Sequence, residues 1–291
     1  MDAASPPPPQ GPASIVVINM DGDGDRLTYM KAQLDNAGLP FARFPAVIGA
    51  ALPAELRAYF PPEEDGTGFL SKGEIGCYAS HLAVYRAIAD GRIAAPALVL
   101  EDDVEAPNNL SAMLARVIAL APPGWDFVRL TSPAKRAYVS VAHIDDAHTL
   151  VRYSVSPGSN GAMLVSQAGA RKFLKRELRR LPIDQDNRRL WDFDLNLYGV
   201  TPAPIRGNAF GESTIDGLAG RSREERSRQR RLRAERQLWR RHAYNIGAFG
   251  FAGWIASEIV SVWAMLMPRR SRPAFLARMG WRLQRIAKAP R

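Results

Sequence analysis

Short apolar runs and segments of helical periodicity alternate along the first two thirds of the chain. Runs rich in β-branched and aliphatic residues predict buried strands at 14–18, 41–47, 97–100, 126–130 and 162–165. Apolar residues at helical spacing predict helices near 27–34, 71–89 and 110–120. Because strands and helices alternate, the sequence predicts an α/β fold with a mostly parallel sheet flanked by helices.

The helix predicted at 71–89 carries a recognisable start signal. Ser71 stands at the N-cap position and Glu74 follows three residues later, which is the spacing of a capping box. The preceding segment, 49–69, is rich in proline, glycine and acidic residues. It predicts a surface loop with a short helix.

The pattern changes after Gly220. Residues 221–241 are dense in arginine and predict a helix, and 243–267 are almost entirely apolar apart from Glu258. Residues 274–288 form a cationic amphipathic pattern. Three interpretations stay open for the apolar segment: it spans a membrane, lies in the membrane interface, or packs as a core helix. We expect the interfacial arrangement, because Glu258 and several glycines weaken a membrane-spanning helix.

The charge of the chain is concentrated in this tail. The 291-residue chain has a formal net charge of +10, with 18 basic and four acidic residues after residue 220. The first 220 residues hold 21 basic and 25 acidic residues. A tail of this kind indicates an anionic partner. The overall composition, 46% hydrophobic and 23% charged, excludes global disorder and fibrous repeats.

The N-terminal residues and the cysteine count complete the division of the chain into segments. Residues 1–12 contain a proline run without the pattern of a signal peptide and predict a disordered leader. The single cysteine, Cys77, excludes an intrachain disulfide framework and a cysteine-cluster metal site. We therefore predict a leader at 1–12, a catalytic domain at 13–218 and a helical tail at 219–291.

Three consecutive carboxylates are the strongest chemical signal. Glu101, Asp102 and Asp103 follow directly after a predicted buried strand. Ligands of open α/β sheets bind at the carboxyl ends of strands, and Mg²⁺ or Mn²⁺ prefers oxygen ligands. An acidic helix N-terminus explains the same residues equally well. A second acidic segment supplies candidates for a general base, and it contains Asp184, Asp186, Asp192 and Asp194.

Six segments, in order, resemble glycosyltransferase family 25, which includes lipooligosaccharide galactosyltransferases. The helix from Leu70 to His81 resembles the family's "GE-x-GC-x-x-SH" element, and Leu100–Val104 resembles its acidic motif. The other four segments are Ile18-Asn19 with Arg26, Gly158–Ser166, Leu181–Asp184 and Glu212–Ile215. The resemblance covers about residues 14–216 and departs from the family at Met20 and the following Asp-Gly repeats.

This resemblance implies a GT-A-type, inverting, metal-dependent enzyme that uses a UDP-sugar, most often UDP-galactose. Glu101, Asp102 and Asp103 would hold Mn²⁺ or Mg²⁺ and the diphosphate. The implied donor-binding and supporting residues are Asn19, Arg26, Glu74, Ser80, His81 and Asn160. Asp184 is the first candidate for the base that deprotonates the acceptor hydroxyl, and Asp186 is the second.

We accordingly expect a glycosyltransferase that acts on a lipid-linked or surface oligosaccharide. It would be cytoplasmic and peripheral or monotopic on the inner face of the membrane, with the tail on anionic lipid. Two alternatives remain: a nucleic-acid-binding protein that uses the arginine-rich tail, and an inactive membrane scaffold. The net negative charge of residues 1–220 and the tryptophans of the tail argue against nucleic acid.

Overall fold

A computed structural model describes residues 11–61, 70–175, 177–207, 209–210 and 238–287. Several predictions lie outside these residues: most of the 1–12 leader, the 218/219 domain boundary, the arginine-dense helix before Leu238, and the segment Glu212–Ile215. The division into domains therefore stays a prediction.

One eight-stranded sheet organises the described residues, in the order β2-β1-β3-β7-β4-β8-β6-β5. Its strands are β1 Ser14–Asn19, β2 Ala42–Pro45, β3 Ala97–Glu101, β4 Phe127–Arg129, β5 Tyr138–His143, β6 Thr149–Tyr153, β7 Ala162–Val165 and β8 Leu197–Thr201. The five predicted strands are confirmed. The sequence prediction did not delimit β5, β6 and β8.

The sheet is mixed, so the prediction of a mostly parallel sheet is wrong. Pairs β1–β2, β1–β3 and β4–β8 are parallel, whereas β7 and β6 run antiparallel to both of their neighbours. The short turn between β5 and β6 makes that pair antiparallel, because only a longer crossover, usually a helix, returns a chain parallel to its previous strand. The direction of β7 follows instead from its pairing with β3 and β4, which lie far away in sequence.

Helices cover both faces of the sheet. They are α1 Gly24–Asn36, α2 Ala54–Arg57, α3 Lys72–Ala89, α4 Leu110–Leu120, α5 Gln167–Phe173, α6 Ile183–Asp186, α7 Leu190–Phe193, α8 Leu238–Leu266 and α9 Arg272–Ile286. Helices α1 and α4 pack on one face, and α3, α5, α8 and α9 contribute to the core on the other. The buried run Ile15–Ile18 of β1 divides its side chains between the two cores, as a strand covered on both faces does.

Helix α3 begins as the sequence predicts. The Ser71 Oγ accepts a hydrogen bond from the Glu74 backbone N–H at 3.2 Å, and Glu74 Oε2 accepts one from the Ser71 N–H at 2.8 Å. This capping box fixes the first turn of α3 and pairs two backbone groups that the helix itself leaves unpaired.

The tail helices pack against the sheet domain. Helix α8 bends at Gly250, whose φ of 72° favours glycine. Phe249 before the bend and Val260 and Ala264 beyond it join the core. Asn245, also before the bend, donates through Nδ2 to the Ser154 carbonyl at 2.9 Å. One face of α8 therefore packs in the core, in agreement with the interpretation of 243–267 as a core helix.

Helix α9 covers β5, which is the last strand of the sheet. A Cβ on Gly280 would lie 2.6 Å from Ser140 Oγ, so the close approach of helix and strand requires glycine there. Gln284 Nε2 donates to the Val141 carbonyl at 3.2 Å, and Trp281 stacks on His143 with ring centroids 4.1 Å apart.

Candidate active site

The candidate site lies where the parallel strands β1 and β3 end side by side. Ile18 is opposite Glu101 in their register, so Asn19 and the three carboxylates meet at one edge of the sheet. A cavity of about 240 Å³ opens there, between this edge, the first turns of α3 and the loop 46–50. The carboxyl ends of strands are the usual place for ligands in open α/β sheets.

Seven of the eleven predicted site residues line this one cavity. They are Asn19, Arg26, Ser80, His81, Glu101, Asp102 and Asp103. Residues from three of the six segments that resemble the family therefore meet at one location, and their chemical roles stay predictions. Glu74, Asn160, Asp184 and Asp186 are not among the residues that line it.

Asp102 ties the end of β3 to the end of β1 and to α1. Its Oδ2 accepts a hydrogen bond from Asn19 Nδ2 at 2.7 Å, and Arg26 Nη1 lies 3.1 Å from Oδ1. The carboxylate is nearly buried, so the guanidinium compensates its charge within the protein. Asp102 therefore orients the edge of the cavity.

Arg43 supports this arrangement and was missed by the sequence analysis. Its Nε donates to Asn19 Oδ1 at 2.9 Å, and its guanidinium also pairs with Asp21. Arg43 belongs to β2, whose register with β1 places it next to Val17. A basic residue in a strand next to the opening strand is the signal that could have identified it.

Asp103 is a half-buried carboxylate beside two others. Burial, Glu101 and Asp102 raise its pKa to about 6, although Arg26 acts in the opposite direction. A cation beside the carboxylates would relieve this repulsion. Three carboxylates supply the oxygen ligands that Mg²⁺ and Mn²⁺ prefer, so the residues present fit a hard divalent ion.

A second possible ligand group adjoins the first. One ligand atom from each of Cys77, His81 and Glu101 lies within 4.8 Å of the others, and His81 Nε2 is 3.2 Å from Glu101 Oε1. Burial raises the pKa of the Cys77 thiol well above its usual range, and Glu101, Asp184 and Asp103 add to the effect. A thiol held in its protonated form is a poor metal ligand, so the oxygen cluster is the better candidate.

Ser80 and Gly76 hold the wall of the cavity. Ser80 Oγ accepts from the Val47 N–H at 2.8 Å and donates to the Gly76 carbonyl at 2.7 Å. A Cβ on Gly76 would lie 2.7 Å from the Val47 carbonyl oxygen. The glycine therefore lets loop 46–50 rest directly on α3, and Ser80 fastens it there.

Two predicted residues act away from the cavity. Glu74 caps α3, as described above. Asn160 is buried, and its Oδ1 accepts a hydrogen bond from Asn187 Nδ2 at 2.6 Å. This bond joins the loop before β7 to the segment after α6. Their contribution to donor binding is untested.

The two candidate bases lie in different environments. A Cβ on Gly158 would lie 3.6 Å from Asp184 Oδ2, and the Asp184 charge acts on the Cys77 thiol at the cavity wall. Asp186 is 4% exposed, and its Oδ2 accepts a hydrogen bond from the Tyr78 hydroxyl at 3.0 Å. Burial raises the pKa of Asp186 to about 6, and Arg189 acts against it. This geometry favours Asp184, which shares surroundings with the cavity, over Asp186.

Comparison with known proteins points to one family. The sequence model described as "Glycosyltransferase family 25 (LPS biosynthesis protein)" matches residues 13–186. A curated protein of Aedes aegypti named "Glycosyltransferase 25 family member" is 28% identical over 193 residues. That alignment covers 60% of this chain and 30% of the relative, so the chain spans under a third of the relative's length.

Proposed function

The chain belongs to glycosyltransferase family 25, and from this we propose that it is an inverting, GT-A-type hexosyltransferase. In this proposal the donor is a UDP-sugar, UDP-galactose, as the family resemblance implies, and the acceptor is a lipid-linked or surface oligosaccharide. The observation that carries the proposal is the cavity at the ends of β1 and β3, where three carboxylates stand beside Asn19 and Arg26.

The acidic cluster supports a divalent ion as cofactor. Glu101, Asp102 and Asp103 would hold Mn²⁺ or Mg²⁺, and a bound ion would offset the like charges of Glu101 and Asp102 that act on Asp103. When bound, such an ion neutralises charge on the diphosphate leaving group. Arg26, already paired with Asp102, adds a second positive charge at the same edge. In this proposal, residues at the ends of β1 and β3 together orient the donor.

We assign proton transfer to Asp184. The acceptor hydroxyl oxygen bonds to the anomeric carbon of the sugar as the bond to the diphosphate breaks, and the hydroxyl proton passes to the Asp184 carboxylate. A single displacement of this kind inverts the anomeric configuration. Besides burial, the charges of Glu101, Asp184 and Asp103 all raise the pKa of the Cys77 thiol. The proposed base therefore lies in the neighbourhood of the acidic cluster.

The exposed face of α8 supports association with a membrane. Its outward side chains repeat at helical spacing, and they are Phe251, Ile255, Ile259, Val262, Trp263 and Leu266. Trp263 is 61% exposed and Leu266 75%. Exposed arginines follow on α9 and the turn before it, and no acidic residue occurs after Glu258. An apolar strip beside uncompensated cations suits an anionic lipid surface better than nucleic acid.

This helix suits a position along the membrane rather than across it. Leu238–Leu266 is long and apolar enough to be a candidate span, by length and composition alone. The segment after the bend at Gly250 rises only about 24 Å, less than the ~30 Å hydrocarbon layer. Its inner face is also occupied, because Ser261 Oγ accepts from the Ala137 N–H at 3.0 Å. We place the protein on the inner face of the cytoplasmic membrane.

The donor proposal is tested with the full-length protein and a panel of nucleotide sugars. Saturation-transfer NMR, with and without Mn²⁺, should show binding of uridine diphosphate sugars that strengthens when the ion is present. Slow hydrolysis of the bound donor should show the same dependence on Mn²⁺. Binding of no nucleotide sugar under either condition would refute the enzyme and leave the scaffold interpretation.

The membrane proposal is tested by liposome flotation. The wild-type protein should float with phosphatidylglycerol vesicles at low salt and remain at the bottom with neutral phosphatidylcholine vesicles. The double variant Trp263→Ser, Leu266→Ser should lower lipid binding by at least about tenfold, because both side chains lose apolar burial. Its melting temperature should match the wild type, since both residues are exposed. Equal flotation of variant and wild type would contradict the role of this face.

A further inference from the structure

A second cavity, of about 480 Å³, lies between the sheet domain and the start of α8. Its walls come from three segments: 154–156 after β6, 177–193 around α6 and α7, and the first turns of α8 from Leu238 to Asn245. Ligand sites of small molecules fall in this range of volumes. The cavity does not share a lining residue with the one that holds the three carboxylates.

Positive charge dominates the wall of this second cavity. Among the residues that the structure describes, five arginines and three carboxylates line it. The aspartates among them are already engaged, because Arg189 pairs with Asp186 at 3.3 Å and Arg240 with Asp192 at 2.6 Å. Arg241 pairs with Glu258 at 3.6 Å, so the surplus positive charge rests on neither Arg189 nor Arg241.

Arg188 carries the clearest uncompensated charge. Its Nε donates to the Ser156 carbonyl at 3.0 Å and its Nη1 to Gln185 Oε1 at 3.3 Å. Both acceptors are neutral, and across the described part of the chain no carboxylate lies within ion-pair distance of this guanidinium. The two bonds fix the side chain half-buried at the cavity wall. A fixed guanidinium binds an oxyanion with little further loss of side-chain entropy.

Neighbouring guanidinium groups add to the unbalanced charge. Burial and three nearby arginines lower the pKa of Arg136, whereas Glu258 acts in the opposite sense; the three are Arg241, Arg272 and Arg188. Arg129 lies deeper, and among the residues that the structure describes none of its guanidinium nitrogens has a hydrogen-bond partner. Clustered cations repel one another in a poorly solvated region, and a bound anion would relieve that repulsion.

The second cavity lies next to the proposed base. Gln185 and Asp186 in its wall directly follow Asp184, the proposed base. Trp191 and Tyr244 bring aromatic side chains to the lining, and such rings pack well against the apolar faces of sugars. The same helix α8 that forms one wall presents its apolar face outward beyond Gly250.

We propose that this cavity binds the acceptor oligosaccharide through an anionic substituent, a phosphate or carboxylate on a sugar, with Arg188 as the principal contact. The inference rests on the proposed function and names the chemical class of its acceptor. Guanidinium groups form paired hydrogen bonds to both kinds of oxyanion. A neutral acceptor would leave the Arg188 guanidinium without a carboxylate or phosphate partner among the described residues.

Binding to the full-length protein tests the proposal, with the donor site saturated by UDP and Mn²⁺. The probes are glucose 6-phosphate, glucuronic acid, glucose and inorganic phosphate, measured by isothermal titration calorimetry. We expect the two anionic sugars to bind more tightly than glucose, and at least one to bind more tightly than inorganic phosphate. Arg188→Gln should weaken that binding by about tenfold or more. Arg188→Lys keeps the positive charge but loses the paired donors of the guanidinium, so its affinity should lie between those of Arg188→Gln and the wild type.

Controls separate this inference from the proposed function. Arg116→Gln removes an exposed arginine of α4 and should leave binding of the sugar phosphate within twofold of wild type. Arg241→Gln gives a second variant of the cavity in case Arg188→Gln does not fold. If UDP still binds with Mn²⁺ but these cavity variants bind glucose 6-phosphate and glucuronic acid like the wild type, the acceptor inference is overturned alone. Tighter binding of glucose than of both anionic sugars would overturn it as well.

Discussion

Asp103→Asn is expected to lower sugar transfer by about a thousandfold or more while the protein stays folded. The substitution removes one oxygen ligand charge from the acidic cluster, and stabilisation of a leaving diphosphate by a metal contributes several kcal/mol to catalysis. Stability should be unchanged or higher, because Glu101 and Asp102 then face one like charge fewer. Initial rates at matched Mn²⁺ and thermal melts measure the two effects.

The matched control for this variant is Asp146→Asn, an exposed carboxylate in the turn between β5 and β6. It should keep both activity and melting temperature. Binding of Mn²⁺, followed by electron paramagnetic resonance, should weaken in Asp103→Asn and remain normal in Asp146→Asn. Activity of Asp103→Asn within a few-fold of wild type would remove Asp103 from the proposed metal site.

Asp184→Asn is expected to reduce turnover by about 10²–10⁴-fold and leave the donor KM nearly unchanged. An amide cannot accept the acceptor proton, and a general base contributes in this range and chiefly in the transition state. Donor binding involves the ends of β1 and β3, which Asp184 does not line. Steady-state kinetics with the donor and acceptor varied separately give both quantities.

Asp186→Asn is the informative companion to this variant. Asp186 lies buried on the Tyr78 hydroxyl, and an asparagine Oδ1 can still accept that hydrogen bond. We therefore expect it to retain turnover within about tenfold of wild type, since a neutral partner replaces a carboxylate that burial disfavours. Loss of turnover in Asp186→Asn, with Asp184→Asn nearly silent, would transfer the role of base to Asp186.

Sequence patterns predicted those helices and strands whose limits depend on neighbouring residues. The capping box at Ser71 located the start of α3, and the buried run before Glu101 located β3. The direction of β7 is not a local property, because its partners β3 and β4 lie far away in sequence. Periodicity shows that a segment is a strand, and the pairing with distant segments decides which way it runs.

At the candidate active site, too, the sequence identified residues but not the contacts between them. The sequence identified the carboxylates at 101–103 but not that Asn19 and Arg26 hold Asp102. Nor did it show that burial and the neighbouring carboxylates raise the pKa of Asp103. Arg43 could not be found from a motif, because it reaches Asn19 through the register of β1 and β2. Likewise, four of the arginines that line the second cavity lie in the segment 177–193, and only the packing of α8 adds Arg241 and a further wall to them.

The contact between α9 and β5 covers a sheet edge that could otherwise pair with another chain. Strand β5 ends the sheet on this side, and an uncovered edge strand offers its peptide groups to any other chain that pairs with it. Gln284 occupies the Val141 carbonyl, and Gly280 lets α9 lie against the strand. A chain that ends before α8 would expose both this edge and the apolar patch around Tyr138, and strand-by-strand aggregation would compete with folding.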